Sequence, residues 1–402
     1  ILLARAGEDS TSYCIVNHGN NPAVFKQLER MKIGELPSSE QITANDFNEP
    51  FLMELIDRCY KDKLYKVAPI QRLRYFLLRF TSAVTFFALS IAALYGNFPW
   101  YWCVAAVMVQ ALIGTSLFGF IAHENTHRNY PKDLASRIML RATWPIFWPF
   151  ISQTPLRFEH NSHHIKIGDP EFDYEVAAFA SIMRYSGHVQ HTSVHNHQHK
   201  IAKFLYPFYA NIITTIGGIY SGFWQKHNRK VGLEHSISVL VTLTYFVIIP
   251  SLINGHTFWY VLLYFIYQCI LFYGIYVGAA INHFVPSAGI PIPPKQENKY
   301  GYYVCQNTTN FCSSSRFWFW YTGGFNVQIE HHLIPFVPVE NLQKMIPIVK
   351  ELCAKYGYPY KNYPDFLQLW NDHYSYLFNL SLPDELASPN SEAKNKSGYQ
   401  AR

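Results

Sequence analysis

Three short stretches concentrate imidazole in this chain: His123-Glu124-Asn125-Thr126-His127, His160-Asn161-Ser162-His163-His164 and Gln328-Ile329-Glu330-His331-His332. Asn282-His283 adds a fourth cluster. Offsets of three and four residues place side chains on one face of a helix, a turn apart. Neutral imidazole is the commonest metal-binding side chain and suits zinc, copper, iron or nickel. A lone histidine beside an apolar segment is ordinarily structural, but eight in four helix-compatible clusters are not ordinary. They exceed the roughly four to six ligands that one ion takes, whereas two ions would use them, with Gln328 and Asn282 as further donors. Helices converging on a dinuclear centre are known with carboxylate ligands. The spacing here argues for metal and leaves its identity open.

The elements that must position these clusters follow from where charge is absent. No Lys, Arg, Asp or Glu occurs between Phe80 and Ala122 or between His235 and Pro294. A helix crossing a bilayer core of about 30 Å needs about 20 apolar residues, so each block holds two spans. They are predicted at 80–96, 99–121, 236–253 and 258–281, with turns near Gly96-Asn97-Phe98-Pro99 and Asn254-Gly255. The expected fold is an all-α membrane protein: four transmembrane helices as two hairpins, with a cytoplasmic helical cap holding a histidine-rich dimetal site.

Arg72, Arg74 and Arg79 precede the first hairpin, Lys226, Arg229 and Lys230 precede the second, and neither turn carries Lys or Arg. The positive-inside rule then puts both ends of each hairpin in the cytoplasm, with all four histidine clusters on that side. The apolar segment 201–223 contains Lys203, Pro207 and Gly217-Gly218 and is expected to lie in the interface rather than to span. A net charge of +6 suits a face near anionic headgroups. The basic residues are scattered and give no case for nucleic acid. Seven cysteines without a CxxC pair suggest neither a disulfide framework nor a thiolate metal site. His188, His191, His195 and His199 are spaced as one helix face, expected to be solvated, and His373 is expected at a surface or interface.

The order of these motifs, ending in Gly323-Gly324-Phe325-Asn326-Val327-Gln328-Ile329-Glu330-His331-His332, resembles the three-box membrane fatty acid desaturases over residues 75–370. Arg157-Phe158-Glu159 before the second cluster, Gly168-Asp169-Pro170 after it, and Gln306-Asn307-Thr308-Thr309-Asn310 before the Trp318–Gly324 run are similar to that family too. Gln328 in place of the third box's first histidine resembles the front-end group. Glu124 departs from the Asp that relatives often carry. The resemblance implies an O2-dependent oxidoreductase of unsaturated fatty acid biosynthesis with two iron ions. His123, His127, His160, His163, His164, His283, His331 and His332 would be catalytic ligands, with Gln328 a weaker ligand or neighbouring donor. It further implies an acyl-lipid or acyl-CoA substrate, a cis double bond placed between an existing one and the carboxyl end, and cytochrome b5 with its reductase as electron donors. The expected location is the endoplasmic reticulum, active site facing the cytoplasm. Sphingolipid desaturases and di-iron lipid hydroxylases are the alternatives. A membrane metal transporter or receptor is more remote, since the spans carry no ionisable residue apart from His235 and His256 near their ends.

Residues 1–36 resemble the C-terminal part of a cytochrome b5 domain, with His18 where the second haem-ligating histidine falls. A His-Pro-Gly-Gly for the first haem ligand is not in the chain. The expectation is a fragment of a longer product that binds haem only when an upstream segment is present. Residues 37–72, with Pro37, Pro50 and Pro69, are expected as a linker, 73–380 as the desaturase domain and 381–402 as a disordered tail.

Overall fold

The computed structural model describes residues 14, 16, 22–32, 34–35, 49–96, 98–127, 160–170, 173–177, 179–212, 229–288 and 299–383. His18, most of 1–36, the linker before Glu49, residues 157–159 and the tail from 384 lie outside the described residues. Within residues 1–36, Pro22–Arg30 forms helix α1.

Long apolar stretches without internal breakers give the membrane-length helices. Proline at the first helical position costs nothing, because its missing N–H would be unbonded there, and α3 (Pro69–Tyr95) starts on one. It ends at Gly96, whose N–H bonds the Ala92 carbonyl. After Pro99, α4 (Trp100–Leu117) continues without interruption through a π turn (Phe118–His123) and a last turn (Glu124–Thr126). The second pair comprises α6 (Arg229–Leu243), a π turn (Thr244–Ile248), α7 (Ile249–Asn254) and then α8 (Thr257–Ala279). Among the described residues, four stretches are long and apolar enough to cross a membrane: Pro69–Tyr95, Trp100–Thr126, Gly232–Asn254 and Thr257–Ala279. Number and pairing match the expectation. The first begins at Pro69 rather than at 80, because Arg72, Arg74 and Arg79 end the apolar run without ending the helix.

Apolar side chains cover the outside of these helices, among them Leu78, Val84, Leu240, Leu252, Phe258 and Val261, as a lipid-facing surface requires. Trp100, Tyr101 and Trp102 stand exposed at the start of α4, the composition of a membrane–water interface. The two hairpins are joined at their turns. Asn254 Nδ2 and the Tyr260 hydroxyl both donate to the Leu94 carbonyl at 3.0 Å. Both turns therefore lie at one end of the bundle, and the chain ends carrying His123 and His283 lie at the other.

That second end is closed by a helical cap: α9 (Tyr300–Asn307), α10 (Arg316–Thr322), α11 (Gln328–Leu333), α12 (Val339–Tyr356) and α13 (Phe366–Leu380). A two-residue parallel bridge, Asn310–Phe311 with Asn362–Tyr363, ties α13 to the segment before α10. The expected linker 37–72 is structured from Glu49 onward. Helix α2 (Pro50–Lys61) buries Phe51, Leu52, Leu55, Ile56 and Cys59 and packs against α12. Each such apolar side chain stabilises by about 1.5–3 kcal/mol, while the exposed Arg58–Glu351 and Lys355–Glu54 pairs add little. Helix α5 (Gln198–Ile212) lies against α8 and α13. It turns Ala202 and Tyr206 inward and leaves Ile201, Phe204 and Phe208 exposed; residues 213–223 lie outside the described residues.

Candidate metal centre

Each histidine cluster is delivered by the end of a helix. His123 closes the π turn that extends α4, and His127 caps the turn after it. A π turn carries one more residue than an α turn and so re-aims the side chains beyond it. The π turn lies before the pair, the residues between them are α-helical, and the two rings share one face as expected, meeting at 5.1 Å between centroids. Residues 160–165 are helical and carry His160, His163 and His164. His283 lies in the turn just beyond α8, and α11 carries Gln328, His331 and His332, all buried.

All eight histidines come together, in two groups. His123, His127, His160, His164 and His331 form one, and His163, His283 and His332 the other, with the ligand atoms of each group within 4.8 Å of one another. The adjacent pairs His163-His164 and His331-His332 are split between the groups, because consecutive helical residues point about 100° apart. Where the groups touch, the His164 and His332 rings stack at 4.0 Å.

The larger group has the form of a ligand set. Nε2 of His160 is 2.8 Å from Nε2 of His127 and 3.0 Å from Nε2 of His164, which is 3.0 Å from Nε2 of His331. One imidazole nitrogen offers a single in-plane hydrogen or lone pair, so His160 and His164 cannot bond two neighbours each. A shared cation explains the spacing. With metal–nitrogen bonds of about 2.1 Å, ligands at right angles lie about 3.0 Å apart. His123 Nε2, His283 Nε2 and the Gln328 and Asn282 side-chain oxygens are buried without a hydrogen-bond partner. Leaving such atoms unpaired is costly, and a bound ion relieves the cost.

Electrostatics favour the ligand form. Burial first, then a neighbouring imidazole, depresses the basicity of His127 and His283 to a pKa of about 3. The same causes hold His160, His164, His331 and His332 well below the usual histidine range. These rings are neutral at physiological pH and present lone pairs. Glu124 and Glu330, buried among the histidines, turn elsewhere: Glu124 accepts the Val339 N–H at 3.1 Å, and Glu330 accepts from Asn310 and Tyr360 at 2.7 and 2.8 Å.

The chain belongs to the fatty acid desaturase family. That family's model matches residues 98–364, which include all eight histidines and Gln328. The chain is 22% identical to "Probable Delta(5) fatty acid desaturase C" of Dictyostelium discoideum over an alignment 415 positions long that covers 94% of this chain and 86% of that protein. It is 23% identical to "Acyl-lipid (8-3)-desaturase B" of the same organism over an alignment 423 positions long that covers 97% and 88% of the two chains. Over a shorter stretch of 133 residues, 33% of this chain and 28% of the relative, it is 32% identical to "Delta(8)-fatty-acid desaturase" of Helianthus annuus. No solved structure matches. This desaturase is accordingly a membrane oxidoreductase acting on fatty acyl chains.

Other histidines take different roles. His188 lies in a turn, His191 in an irregular segment, and His195 in a 3₁₀ turn (Ser193–His197) with Nε2 at 3.1 Å from the Ala180 carbonyl. The expected solvated helical stripe does not form. His373 is buried, its Nδ1 2.7 Å from the Phe284 carbonyl and its Nε2 2.6 Å from the Tyr206 hydroxyl. Sequence reasoning missed the groups that hold two of the clustered histidine rings. His163 Nδ1 is 2.9 Å from Asp173 Oδ2, and His283 Nδ1 donates to the Asn307 carbonyl at 3.1 Å. The Gly168-Asp169-Pro170 turn was the available signal for the first.

Proposed function

We propose that this chain is an O2-dependent front-end desaturase that places a cis double bond in the acyl chain of an acyl-lipid or acyl-CoA. The observation that carries the reading is the division of eight histidines, six buried and two (His127 and His160) half-buried, into groups of five and three at one end of the four-helix bundle. The names of the relatives, Delta(5), (8-3) and Delta(8), support a front-end position, as does Gln328 in the third cluster.

His123, His127, His160, His164 and His331 would hold one iron ion, and His163, His283 and His332 the other, with Gln328 a further oxygen donor. The chemistry an iron pair supplies is the use of O2, two electrons and two protons to remove two hydrogens from a CH2–CH2 unit, leaving CH=CH and two waters. The residues around it do the rest. Phe325, its ring centroid 4.5 Å from that of His123, and buried Phe118 packed against it exclude water from the larger group, which protects a strong oxidant from side reactions. The neutral histidines keep the ligand set uncharged without taking up protons.

The cap is assigned to the cytoplasmic side of the endoplasmic reticulum membrane, where cytochrome b5 and its reductase would deliver electrons. Basic residues before each hairpin support this. The cytochrome b5-like segment 1–36, with His18 as a haem ligand, rests on sequence alone. Expression in a host fed defined unsaturated fatty acids, with the double bonds of the products mapped by mass spectrometry, tests the function. A new cis bond on the carboxyl side of an existing one is expected. A hydroxylated product would assign the hydroxylase reading instead, and an unaltered lipid profile with a fully metallated protein would overturn both. Tags after Leu94 and after Asn254 should be lumenal, and tags near Lys166 cytoplasmic.

A further inference from the structure

Among the described residues, three carboxylates are buried around the histidine groups, and they are not equivalent. Glu124 and Glu330 are engaged by the Val339 N–H and by Asn310 and Tyr360. Asp173 instead reaches a ligand ring, its Oδ2 lying 2.9 Å from His163 Nδ1. Its side chain is fully buried, and the same oxygen accepts the Gly168 N–H at 2.7 Å.

A dedicated loop builds this contact. Asp173 lies ten residues beyond His163, and the chain reverses at Gly168, which has a φ of +79°. A Cβ there would meet nothing within 4 Å, so the left-handed backbone rather than space calls for glycine. The Asp173 N–H closes the loop on the Asp169 carbonyl at 2.8 Å. The Tyr303 hydroxyl of α9 donates to the Ile167 carbonyl at 3.0 Å. The last residue of the same helix, Asn307, supplies the carbonyl that holds His283. Helix α9 thus anchors both rings, with His163 and His283 centroids 4.7 Å apart.

We infer that Asp173 is a positioning residue of the metal centre. Its carboxylate holds the Nδ1–H of His163, fixes the tautomer that leaves the Nε2 lone pair for the ion of the three-histidine group, and strengthens that ring as a donor through its negative charge. A group of three ligands depends on each of them more than a group of five, so the clamp serves the position with least redundancy. The Asn307 carbonyl orients His283 but brings no charge; Asp173 brings both. This inference rests on the dinuclear reading of the proposed function.

The test uses the full chain in detergent, loaded with ferrous iron and titrated with a chelator while bound iron is counted. Wild type, Asp173→Asn and Asp173→Ala are compared, the last with and without formate. Asparagine keeps an oxygen for the His163 N–H and the Gly168 N–H but removes the charge; alanine removes both. In each variant one ion should be released at about 10- to 100-fold lower chelator concentration, more readily from Asp173→Ala. The second ion should be retained as in wild type, which also reports that the variant is folded. Formate should restore part of the lost affinity in Asp173→Ala. Mössbauer spectra should show the change at one iron environment only. Wild-type retention of both ions in both variants would overturn the inference, as would equal loss of both, which marks a general structural role. A wild-type chain holding fewer than two ions would instead overturn the dinuclear reading, and the inference with it.

Discussion

Gly119 and Gly323 meet backbone to backbone beside the metal centre. A Cβ on Gly119 would lie 2.6 Å from the Gly323 Cα, and one on Gly323 would lie 2.5 Å from the Gly119 Cα. The first glycine sits in the π turn that ends at His123, and the second, with a φ of +66°, ends α10. Small residues let membrane helices approach this closely, and here the approach sets how far the first cluster reaches into the cap.

Gly119→Ala should therefore destabilise the protein by about 1–3 kcal/mol through overpacking and lower its metal content together with its activity. Gly278→Ala is the matched control in α8, since a Cβ there meets Thr322 at an ordinary 3.6 Å. Thermal unfolding in detergent compares them. Equal melting temperatures for the two variants would show that the close approach is not limiting.

The unequal groups predict unequal responses to histidine loss. His332→Ala leaves two ligands in its group and His331→Ala leaves four in the other. Both should lose desaturation, because both ions are needed. Iron analysis after dialysis should find the His332→Ala protein depleted at one position and the His331→Ala protein less so. Exhaustive chelation of the wild type should lower its melting temperature, because binding to the native state alone adds to folding stability. Equal depletion of the two variants would contradict the five-and-three division.

Asn310 braces the third cluster from behind. Its Oδ1 accepts the Ile329 N–H at 2.9 Å, and its Nδ2 donates to Glu330 at 2.7 Å. The Tyr360 hydroxyl donates to the other Glu330 oxygen at 2.8 Å. Asn310→Ala removes two buried partners of α11, at a cost of about 1–3 kcal/mol for each group left unpaired, and should shift His331 and His332. Tyr360→Phe removes one partner and should cost less. Iron content and melting temperature measured on both variants check the order; a more damaging Tyr360→Phe would reverse the assigned roles.

The histidine clusters are legible in the sequence because their offsets of three and four follow the helix period. The spans are legible because charge is excluded over long runs. The groups that hold the histidine rings are not. Asp173 reaches His163 across a turn whose direction depends on the φ of Gly168, and spacing alone does not show such a contact. The π turns at Phe118–His123 and Thr244–Ile248 leave no mark that the periodicity could register. Helix α2 has the look of a linker because the surface that buries Phe51 and Leu55 belongs to α9 and α12, far along the chain. His373 resembles a surface residue for the same reason, since Tyr206 and Phe284 are 167 and 89 residues away.

Glu49 makes the attachment of α2 sensitive to pH. Its Oε1 accepts the Gly301 N–H at 2.7 Å and the Tyr358 hydroxyl at 3.2 Å, while Oε2 is buried without a partner. Burial outweighs these bonds and pushes the carboxyl up to a pKa of about 7, from an ordinary value of 4.5. The folded state then binds the proton more tightly than the unfolded state. Its contribution to stability is complete below pH 4.5 and is lost as pH rises through about 7. A shift of that size corresponds to about 3 kcal/mol. Melting temperature in detergent should thus fall between pH 5 and pH 8 by an amount that Glu49→Gln removes, because glutamine keeps the oxygen for Gly301 and Tyr358 and cannot ionise. If Glu49→Gln showed the same pH slope as the wild type, the loss would have to come from another group. If it were much less stable at every pH, the carboxylate would be a required acceptor rather than a buried acid.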